Sequence, residues 1–152
     1  MSTRQLGKLE RLAGKLAERS RLHLENEARA LQQMDQHHAE LRAINKEYQQ
    51  ALVGNENVTP SSLAHRRLFV AELTNKIDQL VQQRDVKERS VKKCVDQYKQ
   101  RIAEHTAIGL IHKRSLQELA LQQNRTEQQQ LDEYAGQRHY LNPNENFENG
   151  YE

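Results

Sequence analysis

The chain has 152 residues, of which 36% are hydrophobic, 29% charged and 5% aromatic, and its net charge is only +2. An ordinary globular domain is roughly 45–50% apolar, so this chain has too few apolar residues to build a thick core. Its two prolines and six glycines leave few places for the turns of a β-sandwich, a barrel or an α/β enzyme. The composition nearly excludes those folds, favours long helices and gives no reason to expect nucleic-acid binding.

The first predicted helix covers residues 2–53. Ser2 and Thr3 can cap its start, because their hydroxyl oxygens can accept a hydrogen bond from a free backbone N–H group. Its first half has a wide apolar stripe, which consists of Leu6, Leu9, Leu12, Ala13 and Leu16. Its second half keeps the three-and-four spacing of a coiled-coil seam, at Leu24, Leu31, Met34, His38, Leu41, Asn45, Tyr48 and Leu52.

Residues 54–60 form the predicted turn. Gly54 suits the end of a helix. Thr59 followed by Pro60 is typical of an N-cap and the first helical position after it. A connection this short between two helices makes them antiparallel neighbours.

The second predicted helix covers residues 61–138 and is the longer one. Its seam consists of Leu63, Val70, Leu73, Ile77, Leu80, Arg84, Lys87, Val91, Cys94 and Tyr98. We therefore predict an all-α fold, an antiparallel two-helix coiled-coil hairpin over residues 1–139. Residues 140–152 are rich in Asn and Glu, and we predict a disordered tail there.

The two helices differ in length, and this has a consequence for the end of the second one. If the turn is the centre of the hairpin, Leu41 faces Leu73, and Leu31 faces the region of Gln83 and Arg84. In the same register Leu16 faces Tyr98, and Leu6 faces Ile108. Residues beyond about Lys113 then have no partner in the chain, although they still carry Leu116, Leu119, Leu131 and Tyr134. We interpret this region as a docking element.

The sequence contains no pattern that supports catalysis or metal binding. His37 and His38 are adjacent and point about 100° apart on a helix, and His105 and His112 are two turns apart. Cys94 lies on the seam, where a buried inert thiol is expected. We predict no enzymatic activity, no cofactor and no small-molecule ligand. With one cysteine, no signal peptide and no apolar span, a cytoplasmic protein is expected.

The middle of the hairpin carries more apolar residues than a narrow seam can bury. Leu41, Ile44 and Tyr48 lie on the first helix, and Phe69, Leu73 and Ile77 lie on the second. A two-helix hairpin buries only one stripe of each helix, so we expect part of this set to contact a partner. The alternative is that the whole set belongs to the seam.

Several segments of the chain resemble the FliJ family, the coiled-coil stalk proteins of the bacterial flagellar type III export apparatus. The first is Leu6-x-x-Leu9-x-x-Leu12-Ala13. The second is Gln32-Gln33 with Leu41 and Glu47-Tyr48-x-x-x-Leu52. The third is Phe69-Val70-x-x-Leu73-x-x-x-Ile77. The last is Arg125-x-Glu127-Gln128-x-x-x-Asp132-Glu133-Tyr134-Ala135-x-x-Arg138.

The resemblance implies a stalk that inserts into the hexameric ring of the flagellar export ATPase and promotes ring assembly and ATP hydrolysis. It also implies contacts with the export-gate membrane protein and with export chaperones, at the cytoplasmic face of the inner membrane. The residues expected to dock into the ring are Leu6, Leu9, Leu12, Leu116, Leu119, Arg125, Leu131, Asp132, Tyr134 and Arg138. Those expected to face the gate are Leu41, Ile44, Tyr48, Phe69 and Leu73.

Three other interpretations stay open from the sequence. One is the equivalent stalk of a virulence-type injection system, which differs only in its partner. The second is a structural coiled coil that forms a homodimer through the unpartnered end of the second helix. The third is a helical hairpin that binds nucleic acid, for which a steep salt dependence of affinity would be diagnostic.

Overall fold

The computed structural model describes residues 1–54 and 59–141. This part of the chain contains two helices and no strand: α1 spans Thr3–Gly54 and α2 spans Pro60–Leu141. With 52 residues in α1 and 82 in α2, the predicted all-α fold with a longer second helix is confirmed. Contacts divide the chain into two compact units, one of Met1–Arg11 with Thr106–Glu152 and one of Leu12–His105.

Both helices begin at the caps that the sequence predicts. The Gln5 backbone N–H donates to Ser2 Oγ at 3.2 Å, and the Ser2 backbone N–H donates to Gln5 Oε1 at 2.9 Å. This reciprocal pair is a capping box, which satisfies two backbone donors at the start of α1. At the start of α2, the Ser62 backbone N–H donates to Thr59 Oγ1 at 3.3 Å, and Pro60 is the first helical residue.

The other helix ends lie next to segments outside the described residues. Gly54 is the last residue of α1, and 55–58, the centre of the predicted turn, are not described. At the end of α2, Tyr140 and Leu141 are helical, although the sequence places them in the tail. The rest of the predicted tail, residues 142–152, also lies outside the described residues.

The unit Leu12–His105 has a thin core along one stripe of each helix. Its buried residues are Ala13, Ala17, Leu73 and Cys94. All ten residues of the predicted α2 seam, from Leu63 to Tyr98, are buried or half-buried. The periodicity of α2 therefore identified correctly the face that packs against α1.

Polar contacts between the helices agree with the predicted register at one place and depart from it at another. Lys87 Nζ donates to Glu27 Oε2 at 3.1 Å, as the predicted register allows. Arg84 Nε donates to Asp35 Oδ1, whereas the prediction placed Arg84 opposite Leu31, one turn earlier on α1. Further along, the His105 ring lies against Gly14, where it would be 3.3 Å from an added Cβ. An apolar stripe repeats every turn and cannot distinguish such registers, but specific ion pairs can.

In the unit of Met1–Arg11 with Thr106–Glu152, α1 again packs antiparallel to α2. Thr3 Oγ1 and Ser115 Oγ are 2.7 Å apart, and the His112 ring lies against Gly7. His112 Nδ1 is 2.5 Å from Glu10 Oε2. Here too the packing is about one turn beyond the prediction, which placed Leu6 opposite Ile108.

Candidate interaction surfaces

The most extensive exposed surface is the end of α2, residues 116–141, which we call the α2 overhang. Every residue of this segment is exposed. Thr3, the first residue of α1, contacts Ser115, and the exposed segment of α2 begins at the next residue. The predicted unpartnered end is present, although it starts slightly later than the expected position near Lys113.

Helical phase divides the α2 overhang into two faces. At about 100° per residue, the residues within about 60° of Tyr134 form an inner face, which continues the side on which His112 meets α1. Of the predicted docking residues, the inner face carries Leu116, Leu119, Leu131, Tyr134 and Arg138, and between Leu119 and Leu131 it presents Gln123 and Glu127. The opposite, outer face carries Arg125 and Asp132, which lie about 160–180° from Tyr134, together with Leu121. The ring-docking residues predicted here thus lie on two opposite faces rather than on one.

The docking residues predicted on α1 differ in exposure. Leu6 is half-buried against α2, and Leu9 is just over one-third exposed. Leu12 is about half exposed, but it belongs to the other compact unit. The unit of Met1–Arg11 with Thr106–Glu152 therefore contains most of the predicted docking set. It holds the docking residues of the α2 overhang and, in the first two turns of α1, Leu6 and Leu9.

The middle of the Leu12–His105 unit carries an exposed aromatic pair. The Tyr48 and Phe69 rings are 4.7 Å apart between centroids, with an interplanar angle of 50°. Ile44, Tyr48 and Phe69 are 40%, 40% and 41% exposed, so a partner could reach all three. Leu41 is half-buried, and Leu73 is only 6% exposed. Leu73 therefore supports this surface from the interface between the helices.

One residue next to this surface was not selected from the sequence. Leu68 precedes Phe69 on α2 and is 59% exposed, more than any residue of the predicted gate face. Its exposure could have been predicted from its position outside the seam. An apolar residue that lies outside the packed stripe of a two-helix hairpin faces solvent.

Two ion pairs join the helices of this unit, Lys87 with Glu27 and Arg84 with Asp35. Hydrogen bonds from Lys87 and Ser90 lower the pKa of Glu27, and the hydrogen bond to Asp35 raises the pKa of Arg84. Each pair satisfies a charge that lies on the packed face. These contacts hold the helices in register and offer no group for proton transfer.

The described residues contain no group of three His, Cys, Asp or Glu side chains that could hold a metal ion. Cys94 is buried in the seam. His105 and His112, which share a helical face, are each packed against a glycine of α1. In the ranges 1–54 and 59–141, neither helix has an apolar stretch long enough to cross a membrane.

The comparison with protein families gave one match. The model of the family described as Flagellar FliJ protein matches residues 1–144. No curated protein and no solved structure matches the chain. The family match spans both helices and both exposed surfaces, and the family is a structural export component rather than a known enzyme. The chain belongs to the FliJ family and is a flagellar protein related to export.

Proposed function

We propose that this protein is a non-enzymatic stalk of the flagellar export apparatus, which docks into the hexameric ring of the export ATPase and promotes its assembly and ATP hydrolysis. The observation that carries the proposal is the α2 overhang, a helical segment of which every residue from 116 to 141 is exposed. An isolated helix is marginal in water unless packing stabilises it, so a segment of this kind favours a partner.

The inner face of the α2 overhang supplies the surface for docking. Leu116, Leu119, Leu131 and Tyr134 are each between two-fifths and seven-tenths exposed. They occupy one stripe along about five turns of helix, which suits contact with more than one ATPase subunit. Because the stalk would bind the assembled ring better than free subunits, it would shift the assembly equilibrium toward the hexamer by mass action.

The aromatic surface of the Leu12–His105 unit would contact the cytoplasmic part of the export-gate membrane protein. Ile44, Tyr48 and Phe69 form its accessible part, with Leu41 and Leu73 behind them. Large, rigid aromatic side chains are typical anchors of protein interfaces. This contact would hold the protein in the cytoplasm at the inner-membrane face, where it would also meet export chaperones.

The docking proposal is tested by comparing substitutions on opposite faces of the α2 overhang. Leu119→Asp and Tyr134→Asp place a charge on the inner face, and Leu121→Asp places the same charge on the outer face, at a residue that is 56% exposed. Each variant is mixed with the purified export ATPase hexamer, and co-sedimentation measures binding. Circular dichroism measures helicity in the same samples.

We expect the inner-face variants to lose binding and the Leu121→Asp variant to retain it, all with wild-type helicity. Equal binding by all variants would exclude the inner face as the docking surface. Sedimentation of the chain alone separates the stalk from a homodimer, because a stalk is expected to be monomeric. Docking to the ATPase of an injection system, but not to the flagellar one, would favour the virulence-type stalk.

A further inference from the structure

A basic groove lies between the two helices of the Leu12–His105 unit, away from the aromatic surface. It has a volume of about 450 Å³. Its α1 side consists of Leu16, Arg19, Ser20 and His23, and its α2 side consists of Gln97, Gln100, Arg101 and Glu104. Each set has the spacing i, i+3, i+4, i+7, so each is one continuous helical face about two turns long.

The groove has two cationic groups that can take a further anion. Arg19 forms no ion pair with any described residue, because the neighbouring carboxylate of Glu18 is bound by Arg21, whose Nε donates to Glu18 Oε2 at 3.0 Å. Arg101 Nη1 donates to Glu104 Oε2 at 3.2 Å. A guanidinium has five N–H donors, so this contact orients Arg101 and leaves donors for a second acceptor.

The remaining groups of the groove can complete an acceptor site. The amide of Gln97 and the hydroxyl of Ser20 add neutral hydrogen-bond donors. Gln100 Nε2 donates to Glu104 Oε1 at 3.3 Å and keeps one N–H for a further acceptor. Two arginines against one glutamate make the groove net positive even when His23 is neutral. A ligand that brings carboxylates is therefore favoured over one that is neutral or basic.

The shape of the groove favours a helix over a small anion. Leu16 gives it an apolar end, and the exposed Leu12, one turn earlier on α1, continues that end. A surface between two antiparallel helices, with residues at i, i+3, i+4 and i+7 on both sides, is the place where a third helix packs. We propose that this groove binds an acidic amphipathic helix of a partner protein, whose apolar residues meet Leu12 and Leu16 and whose carboxylates meet Arg19 and Arg101.

A designed peptide tests the proposal. The probe is an alanine-based peptide of about 20 residues, which is long enough to be partly helical alone. One face of its helix carries Leu near one end and two Glu, one turn apart, near the other end. Matched peptides carry Gln or Lys in place of both Glu. Fluorescence anisotropy measures their binding to the full-length chain and to Arg19→Glu/Arg101→Glu. The control variant is Arg29→Glu, at an exposed residue of α1 outside the groove, and it is compared with Arg19→Glu alone, which makes the same charge change.

We expect the Glu peptide to bind the wild-type chain about tenfold more tightly than the Gln peptide. The double variant should lose the Glu peptide and gain the Lys peptide, while Arg29→Glu keeps the wild-type preference. Because Arg101→Glu would also repel Glu104, the variant Arg19→Glu/Arg101→Gln checks the same loss without that repulsion.

Three results would overturn the proposal. Equal affinity for the Glu and Gln peptides would show that carboxylates are not recognised. An equal loss in Arg29→Glu would show that binding follows overall charge rather than this groove. Displacement of the peptide by sodium pyrophosphate at an equal concentration would assign the groove to small phosphate anions instead of a helix.

Discussion

Glu27 on α1 accepts a hydrogen bond from the Lys87 ammonium group on α2, with 3.1 Å between Oε2 and Nζ. The same oxygen accepts a second hydrogen bond from the Ser90 hydroxyl at 3.0 Å. Both contacts cross the interface between the helices, in a stripe that is otherwise mainly apolar. One carboxylate thus binds two residues that lie one turn apart on the opposite helix.

The substitution Glu27→Gln should lower the thermal stability of the protein at pH 7. The contacts from Lys87 and Ser90 lower the pKa of Glu27 in the folded state. Their stabilisation is therefore complete above the unfolded pKa of about 4.3 and is lost as the pH falls through the lower folded value. Thermal unfolding followed by circular dichroism should show a lower Tm for Glu27→Gln at pH 7. The difference should shrink as the pH falls below the unfolded pKa and through the folded one. A pH-independent difference would contradict this account of the pair.

Leu73→Ala and Phe69→Ala should separate a residue of the fold from a residue of the proposed gate surface. Leu73 is 6% exposed, and truncation of a buried leucine costs about 2–5 kcal/mol. Phe69 is 41% exposed and loses mainly its contact with Tyr48, worth about 0.5–1.5 kcal/mol beyond the buried area. Urea unfolding should rank Leu73→Ala as clearly the more destabilising. Comparable destabilisation by both would show that Phe69 also belongs to the core.

Gly14→Ala should have two opposing effects on the free energy of unfolding, and a double-mutant cycle can separate them. Alanine favours the helix by about 0.5–1 kcal/mol over glycine, but its Cβ would lie 3.3 Å from His105 Nε2. The imidazole must move, so we expect little net gain. In a His105→Ala background the full gain should appear in the free energy of unfolding. The same change in both backgrounds would mean that the ring does not occupy the space beside Gly14.

The seam of α2 was predictable from the sequence because its apolar residues recur at helical spacing from Leu63 to Tyr98. The pairing of polar residues across the interface between the helices was not predictable. Asp35 and Arg84 are ordinary members of a highly charged sequence, and nothing in the periodicity marks them as partners. The packing of His105 and His112 was not predictable either, because the glycine that each ring contacts lies on the opposite helix.

For the α2 overhang, the sequence predicted that the segment exists but did not lead to the correct grouping of its residues into faces. Its existence follows from the unequal helix lengths, and the structure bears that out. The resemblance to the FliJ family places Arg125 and Asp132 in one docking set with Leu119 and Tyr134. Counting about 100° per residue places Arg125 and Asp132 on the face opposite Tyr134, so helical phase divides the docking set that the resemblance implies.

ATP hydrolysis by the purified flagellar export ATPase, measured as this protein is titrated in, is the most direct test of the stalk proposal. Light scattering in the same samples reports ring assembly. We expect hydrolysis and scattering to rise together and to saturate at less than one copy per ATPase subunit, because one stalk serves a whole ring. An active ATPase whose hydrolysis and assembly do not respond to the protein would contradict the account.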